Sequence, residues 1–178
     1  MDLPKRKQIR LADYDYSSPG AYFVTICTKD RRNILSDIAV GADALGGPCL
    51  TLTEIGQIVE RYILSTGNIA GLSVDQYVIM PNHIHLLLQI GETDAASEGG
   101  PPRASAPTGK NGTSRAPAPT LSDAVGALKR LVNREAGRNI WQRGYYEHVI
   151  RNEHDCREIL EYIENNPAKW AEDRYYTE

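Results

Sequence analysis

Met80-Pro81-Asn82-His83-Ile84-His85-Leu86-Leu87-Leu88 sets two histidines, one residue apart, at the head of a leucine-rich run. In a strand, alternate side chains share a face, so His83 and His85 project together while Ile84 and Leu86 point the other way. Two neutral imidazoles side by side offer two nitrogen ligands to one metal ion. Just upstream, Leu72 to Met80 also alternates, with Val74, Gln76 and Val78 on one face and Asp75, Tyr77 and Ile79 on the other. Pro81-Asn82 interrupts the two runs, so they read as an antiparallel hairpin whose second strand covers 83–90.

On the N-terminal side, Ala21-Tyr22-Phe23-Val24-Thr25-Ile26-Cys27-Thr28 alternates and is rich in strand formers. Residues 33–50, with Gly41, Gly46, Gly47 and Pro48, read as an irregular loop or short excursion. Leu52 to Leu64 carries apolar residues at 52, 55, 58, 59, 62 and 63, which is helical spacing, with Thr53 or Thr51 as the cap. Beyond the hairpin, ten of the 29 positions in 91–119 are Gly or Pro and none is aromatic, so this stretch reads as a flexible insertion. Thr120-Leu121-Ser122-Asp123 opens a second helix with Leu121, Val125, Leu128 and Val132 on one face. Asn139–Arg143 and Tyr145–Ile150 are short, aromatic and extended, and a last helix runs from Asp155 to Asn166, stopped by Pro167. The order strand, helix, strand, strand, helix, strand, helix is that of a split βαβ, ferredoxin-like α+β fold. It places an antiparallel sheet with helices on one face and adds a C-terminal helix.

Size and composition agree with one domain over residues 1–178, its core formed by 20–90 and 120–170. Apolar content of 41% and charged content of 24% are ordinary for a globular chain. No apolar run approaches the roughly 20 residues that span a bilayer, and no hydrophobic signal segment follows the basic N-terminus, so no membrane partner is expected. Cys27, Cys49 and Cys156 are too few and too scattered for a disulfide framework, which points to a reducing cytoplasm. The net charge of −3 argues against an unspecialised nucleic-acid coat but leaves room for local basic patches. Lys5, Arg6, Lys7 and Arg10 form one, Lys29, Arg31 and Arg32 a second, and Lys129, Arg130, Arg134 and Arg138 a third.

The last helix carries the complement to the histidine pair. Its apolar stripe is Cys156, Ile159, Leu160 and Ile163, and at about 100° per residue Tyr162 and Asn166 fall together at one edge of it. A phenol and an amide oxygen one turn apart suit a metal-assisted tyrosine nucleophile. Asn166 would join His83 and His85 as third ligand, and Tyr162 would attack what the metal polarises. The tyrosine pairs Tyr145-Tyr146 and Tyr175-Tyr176 lack such an amide one turn on. Tyr146 and Trp141 read as core or base-stacking residues, and His148 and His154 as structural or phosphate-facing.

Here a resemblance becomes specific. Tyr77-Val78-Ile79-Met80-Pro81-Asn82-His83-Ile84-His85-Leu86-Leu87-Leu88 is similar to the histidine–hydrophobic–histidine signature of the HUH single-strand endonucleases. Ile140-Trp141-Gln142-Arg143, Tyr146 to Glu153, Tyr162 to Pro167 and Lys169-Trp170, together with the first strand, resemble the REP-associated tyrosine transposases, a single-tyrosine branch of that superfamily. The likeness spans most of 20–170 outside the insertion.

It implies an enzyme that cleaves and rejoins single-stranded DNA at hairpin-associated sites through a 5′-phosphotyrosine. Tyr162 would be the nucleophile, with a divalent ion, Mg²⁺ or Mn²⁺, held by His83, His85 and Asn166. Related transposases often carry glutamine where this chain has the shorter Asn166. Arg31, Arg32, Lys129, Arg130, Arg134 and Arg143 are the expected DNA contacts. The partner is hairpin-bearing single-stranded DNA, the assembly a monomer or homodimer, and the setting cytoplasmic and nucleoid-associated. Two other readings compete. A domesticated hairpin-binding protein of this fold would bind without cleaving, and a small-ester metallohydrolase would turn over with no use for Tyr162.

Overall fold

The computed structural model describes residues 19–40, 48–91 and 119–176. The basic patch at Lys5–Arg10 and nearly all of the expected insertion lie outside the described residues. Among the described residues, six strands and three α-helices follow in chain order: β1 (Gly20–Cys27), β2 (Ser36–Val40), β3 (Pro48–Leu52), α1 (Glu54–Thr66), β4 (Leu72–Ile79), β5 (His83–Ile90), α2 (Leu121–Glu135), β6 (Tyr146–Ile150) and α3 (Glu153–Asn165). Strands β4, β5, β1 and β6 form one sheet in that order, each neighbour antiparallel. β1 and β4, joined through α1, thus flank β5, the split βαβ arrangement that the order of elements predicts.

Alternation along β1 builds two cores. Tyr22, Val24 and Ile26 are fully buried on one face with Val59 and Ile63 of α1 and Leu121, Val125, Leu128 and Val132 of α2. Phe23 points the other way and packs with Leu87 of β5 and with Ile159 and Ile163 of α3. Helices α1 and α2 therefore cover one face of the sheet, and α3 packs on the opposite face.

Local chemistry sets the helix starts. Thr53, one of the two caps expected for α1, accepts from the Gly56 amide at 3.1 Å and donates its hydroxyl to the Ile34 and Leu35 carbonyls. Thr120 and Asp123 form a reciprocal capping box on α2. Asn152 caps α3, two residues earlier than the periodicity predicts.

Two expectations need correction. Residues 33–50 are not simply irregular, for β2 and β3 pair there as a two-stranded ladder, Ile38 opposite Leu50. Each strand is only five residues long and part exposed, and Pro48, Asp37 and Ala39 are poor strand formers, so the alternation is faint. In β4 a bulge between Val74 and Gln76 shifts the phase. Val74 and Tyr77, predicted on opposite faces, both pack on the α1–α2 side, and Val78 turns to α3.

Candidate active site

The histidine pair sits at one end of the two central strands. On β5, His83 lies opposite Cys27 of β1 and His85 opposite Thr25, and both rings are fully buried on the α3 face. Each is held through its Nδ1. Asn82 gives its Nδ2–H to the Tyr175 carbonyl at 2.7 Å, so its Oδ1 is the atom facing His83 Nδ1 at 2.9 Å. A carbonyl oxygen can only accept, so His83 carries its proton on Nδ1 and presents a bare Nε2 lone pair. Thr25 Oγ1 meets His85 Nδ1 at 2.9 Å.

The two Nε2 atoms then face each other at 3.0 Å. With the His83 side a lone pair, that contact needs a proton or a cation between the rings. Burial pushes His83 down to about 4, opposed by the Asp173 carboxylate and assisted by the Arg174 and Arg31 guanidiniums. Burial, then His83 and Arg174, holds His85 well below the usual imidazole range. Both rings are therefore neutral at neutral pH, the form in which imidazole binds metal.

Helix α3 brings the nucleophile candidate to the same point. The Tyr162 hydroxyl lies 3.3 Å from His85 Nε2 and donates to Asp173 Oδ2 at 3.3 Å. Its ring stands edge-on to Phe23, which in turn stacks on His85 at 5.1 Å. Burial, with the Asp173 charge and hydrogen bond, pushes the phenol up to about 12, against the lowering effect of Arg174 and Asn166. A phenol held that high needs positive charge nearby before it can attack.

Asn166, one turn on, is buried. Its Nδ2 donates to Asp173 Oδ2 at 3.1 Å and its Oδ1 has no hydrogen-bond partner among the described residues. Rotating the amide by half a turn exchanges the two atoms and brings an oxygen to the site. Neutral imidazoles, a partnerless buried amide oxygen and a carboxylate whose oxygen lies within 4.8 Å of both rings' nitrogens make a donor set that fits a divalent cation.

Comparison with known proteins then bears on the whole chain. No protein-family model matches it. Two Haemophilus influenzae proteins are similar to it over nearly its full length. One, uncharacterized, is 33% identical, covering 97% of this chain and 94% of its own. The other, provisionally named a REP-associated tyrosine transposase, is 31% identical over 168 residues, covering 87% of this chain and 74% of its own. The chain belongs to the REP-associated tyrosine transposases. The fold agrees, since the structure of a REP-associated tyrosine transposase bound to a REP hairpin matches with a TM-score of 0.57 at 23% identity, over 89% of this chain and 74% of that one.

Among the six expected DNA contacts, the fold separates two groups. Arg31, Arg32 and Arg143 stand at the end of the sheet where β1 meets the histidines, since Lys29 and Gln142 pair with the Ile140 and Cys27 backbone there. Arg31 is held in the left-handed region with φ of 53°, a backbone state costing an arginine roughly 1 kcal/mol, and its guanidinium lies 5.2 Å over the Tyr175 ring. Arg130 and Arg134 are exposed on α2, in the helical layer across the sheet from Tyr162. Lys129 departs from the expected exposed patch. It is half-buried, pushed down to about 8 by that burial, and donates to the Gln142 and Gly144 carbonyls at 2.9 and 2.8 Å, tying α2 to the loop before β6.

Sequence reading missed the segment after α3. A 3₁₀ stretch, Pro167–Glu172, returns the chain over the site. Asp173 then receives Tyr162 and Asn166, and the Tyr175 ring, buried, lies 4.7 Å from His83. No helical or strand period marks Asp173-Arg174-Tyr175-Tyr176, and its one signal is an acid beside aromatics soon after the tyrosine helix.

Proposed function

We propose that this chain is a metal-dependent single-strand DNA transposase that cleaves and rejoins DNA at hairpin-associated sites, with Tyr162 as nucleophile. The observation that carries the reading is convergence. The Tyr162 hydroxyl lies within hydrogen-bond distance of one imidazole nitrogen and of the Asp173 carboxylate, and that nitrogen faces the second imidazole's at 3.0 Å.

His83 and His85 would hold a divalent ion, Mg²⁺ or Mn²⁺, through their Nε2 atoms, and Asn166 would add its amide oxygen after rotation. When bound, that ion supplies positive charge to the non-bridging oxygens of the phosphate under attack. Tyr162 forms the bond to phosphorus while the bond to the 3′ oxygen breaks, leaving a 5′-phosphotyrosine and a 3′-hydroxyl. The phenol proton passes to the Asp173 carboxylate that already accepts it, and the departing 3′ oxygen takes a proton from water. Attack by a 3′-hydroxyl reverses the exchange, one phosphoester for another, so rejoining needs no nucleotide cofactor. Arg31, Arg32 and Arg143 line the approach for the backbone, joined by Arg174, which faces both Tyr146 and Tyr175.

The test is direct. Incubated with Mn²⁺ and a hairpin-bearing single strand, the protein is expected to yield a covalent adduct on a denaturing gel. The adduct should vanish with Tyr162→Phe and fall at least a hundredfold with His83→Ala. An adduct that survives Tyr162→Phe refutes the assignment. Binding without any cleavage favours the domesticated hairpin binder.

A further inference from the structure

On the same face as the histidines but two strands along, a cleft of about 380 Å³ opens beside Tyr162. Its position follows from the register. Thr25 pairs with His85 on one side and with Tyr146 of β6 on the other, so the three share one row across the sheet. Phe23 and His148 pair in the next row. Two strand spacings put the Tyr146 backbone roughly 10 Å from that of His85. Phe23 and Ile159 floor the cleft, while Tyr146, 37% exposed, and Tyr162, 41% exposed, present aromatic walls.

The polar side of the cleft is built as well. His148 meets both oxygens of Asp155 at 3.0 Å through Nε2. A carboxylate accepts only, so Nε2 carries the proton and the ring is fixed in place, its Nδ1 edge turned from the acid. The face of Tyr146 already accommodates a flat group, since the Arg174 guanidinium lies 5.3 Å over its ring. A ring that stacks a planar cation also stacks a nucleobase.

In-line attack decides which nucleotide belongs there. The Tyr162 oxygen and the departing 3′ oxygen are apical and opposed, so the nucleotide on the 5′ side of the break is carried away from the tyrosine. The 5′ oxygen is equatorial, and the nucleotide it carries stays on the tyrosine's side. We propose that the cleft between β6 and α3 seats the nucleobase on the 3′ side of the scissile phosphate, stacked on Tyr146 with its edge against His148. Arg174 is displaced from Tyr146 toward the phosphate as the base enters. This assignment rests on Tyr162 being the nucleophile, and it makes Tyr146 and His148 determinants of where the strand is cut.

Two measurements test it, one of which needs no cleavage. In Tyr162→Phe protein, 2-aminopurine is walked through the single-stranded flank of a hairpin-bearing strand. One position is expected to change emission on binding, and adding Tyr146→Ala should abolish that response and weaken binding by about tenfold, with an unchanged melting temperature. A response that survives Tyr146→Ala, or its absence in a strand that binds, overturns the proposal. In otherwise unaltered protein, strands with randomised flanks are captured as tyrosine adducts and sequenced. A biased first base, relaxed at least threefold by His148→Gln while adducts still form, supports the cleft, and a bias that does not move overturns it. Failure of the unaltered protein to form any adduct strikes the nucleophile assignment, and the fluorescence result then judges the cleft by itself.

Discussion

At the level of single residues, the decisive fact is that two imidazoles are kept neutral by burial while each is pinned through Nδ1. His83 sits near 4 in the fold against about 6.5 when unfolded, so between those values the unfolded chain binds more protons. Metal-free protein is therefore expected to lose stability as pH falls from about 6.5 to about 4, stability rising with pH throughout that window. Thermal unfolding across that window should show the slope in the native chain and a flatter one in His83→Asn. The same depression means protons compete poorly for the two rings, so if they hold the proposed ion, Mn²⁺ affinity measured by calorimetry should stay level from about pH 8 to pH 6, where an ordinary histidine site weakens. The sequence displayed His83, His85, Tyr162 and Asn166 because each stands at a regular position on a strand or helix. Asp173 was hidden because its place is set by a non-repeating turn, and only tertiary contact reveals that it receives the Tyr162 hydroxyl.

At the level of elements, legibility follows periodicity. β1, β5, α1 and α2 have strong apolar repeats and fold as read, whereas one extra residue near Asp75 reverses which side of β4 is wet, a shift that composition cannot signal. The start of α1 is fixed by closeness of backbones. A methyl on Gly56 would stand 2.0 Å from the Leu35 carbonyl oxygen, which also accepts from the Thr53 amide and hydroxyl. Gly56→Ala is expected to cost about 3 kcal/mol, read as a lowered midpoint in urea unfolding with an unchanged slope. A neutral result would mean that the β2 approach and α1 move apart without penalty.

At the level of the whole molecule, the cations differ in setting in a way that net charge conceals: Lys129 is tied to backbone carbonyls, whereas Arg31, Arg32 and Arg143 stand at the histidine end of the sheet. Binding to a hairpin-bearing strand should weaken steeply with salt. Removing Arg31, Arg32 or Arg143 should each lower the logarithmic slope by about one, if each neutralises one phosphate. Lys129→Met should leave that slope alone and instead cost about 2 kcal/mol of stability, because two carbonyls lose a charged donor. A slope that falls with Lys129→Met would return that residue to the DNA surface.

The site is also closed within one chain, with β5 giving the histidines and α3 the tyrosine on either side of the long connection that leaves Gly91. That closure has a genetic consequence. Two defective copies, one with His83→Ala and one with Tyr162→Phe, cannot lend each other the missing half while each folds in this form, so they belong to one complementation group. Mixing the two purified variants with Mn²⁺ and hairpin strand should give no adduct. Recovery of cutting in the mixture would mean that helices change hands between copies, making a mobile element's damaged relatives its helpers rather than its competitors.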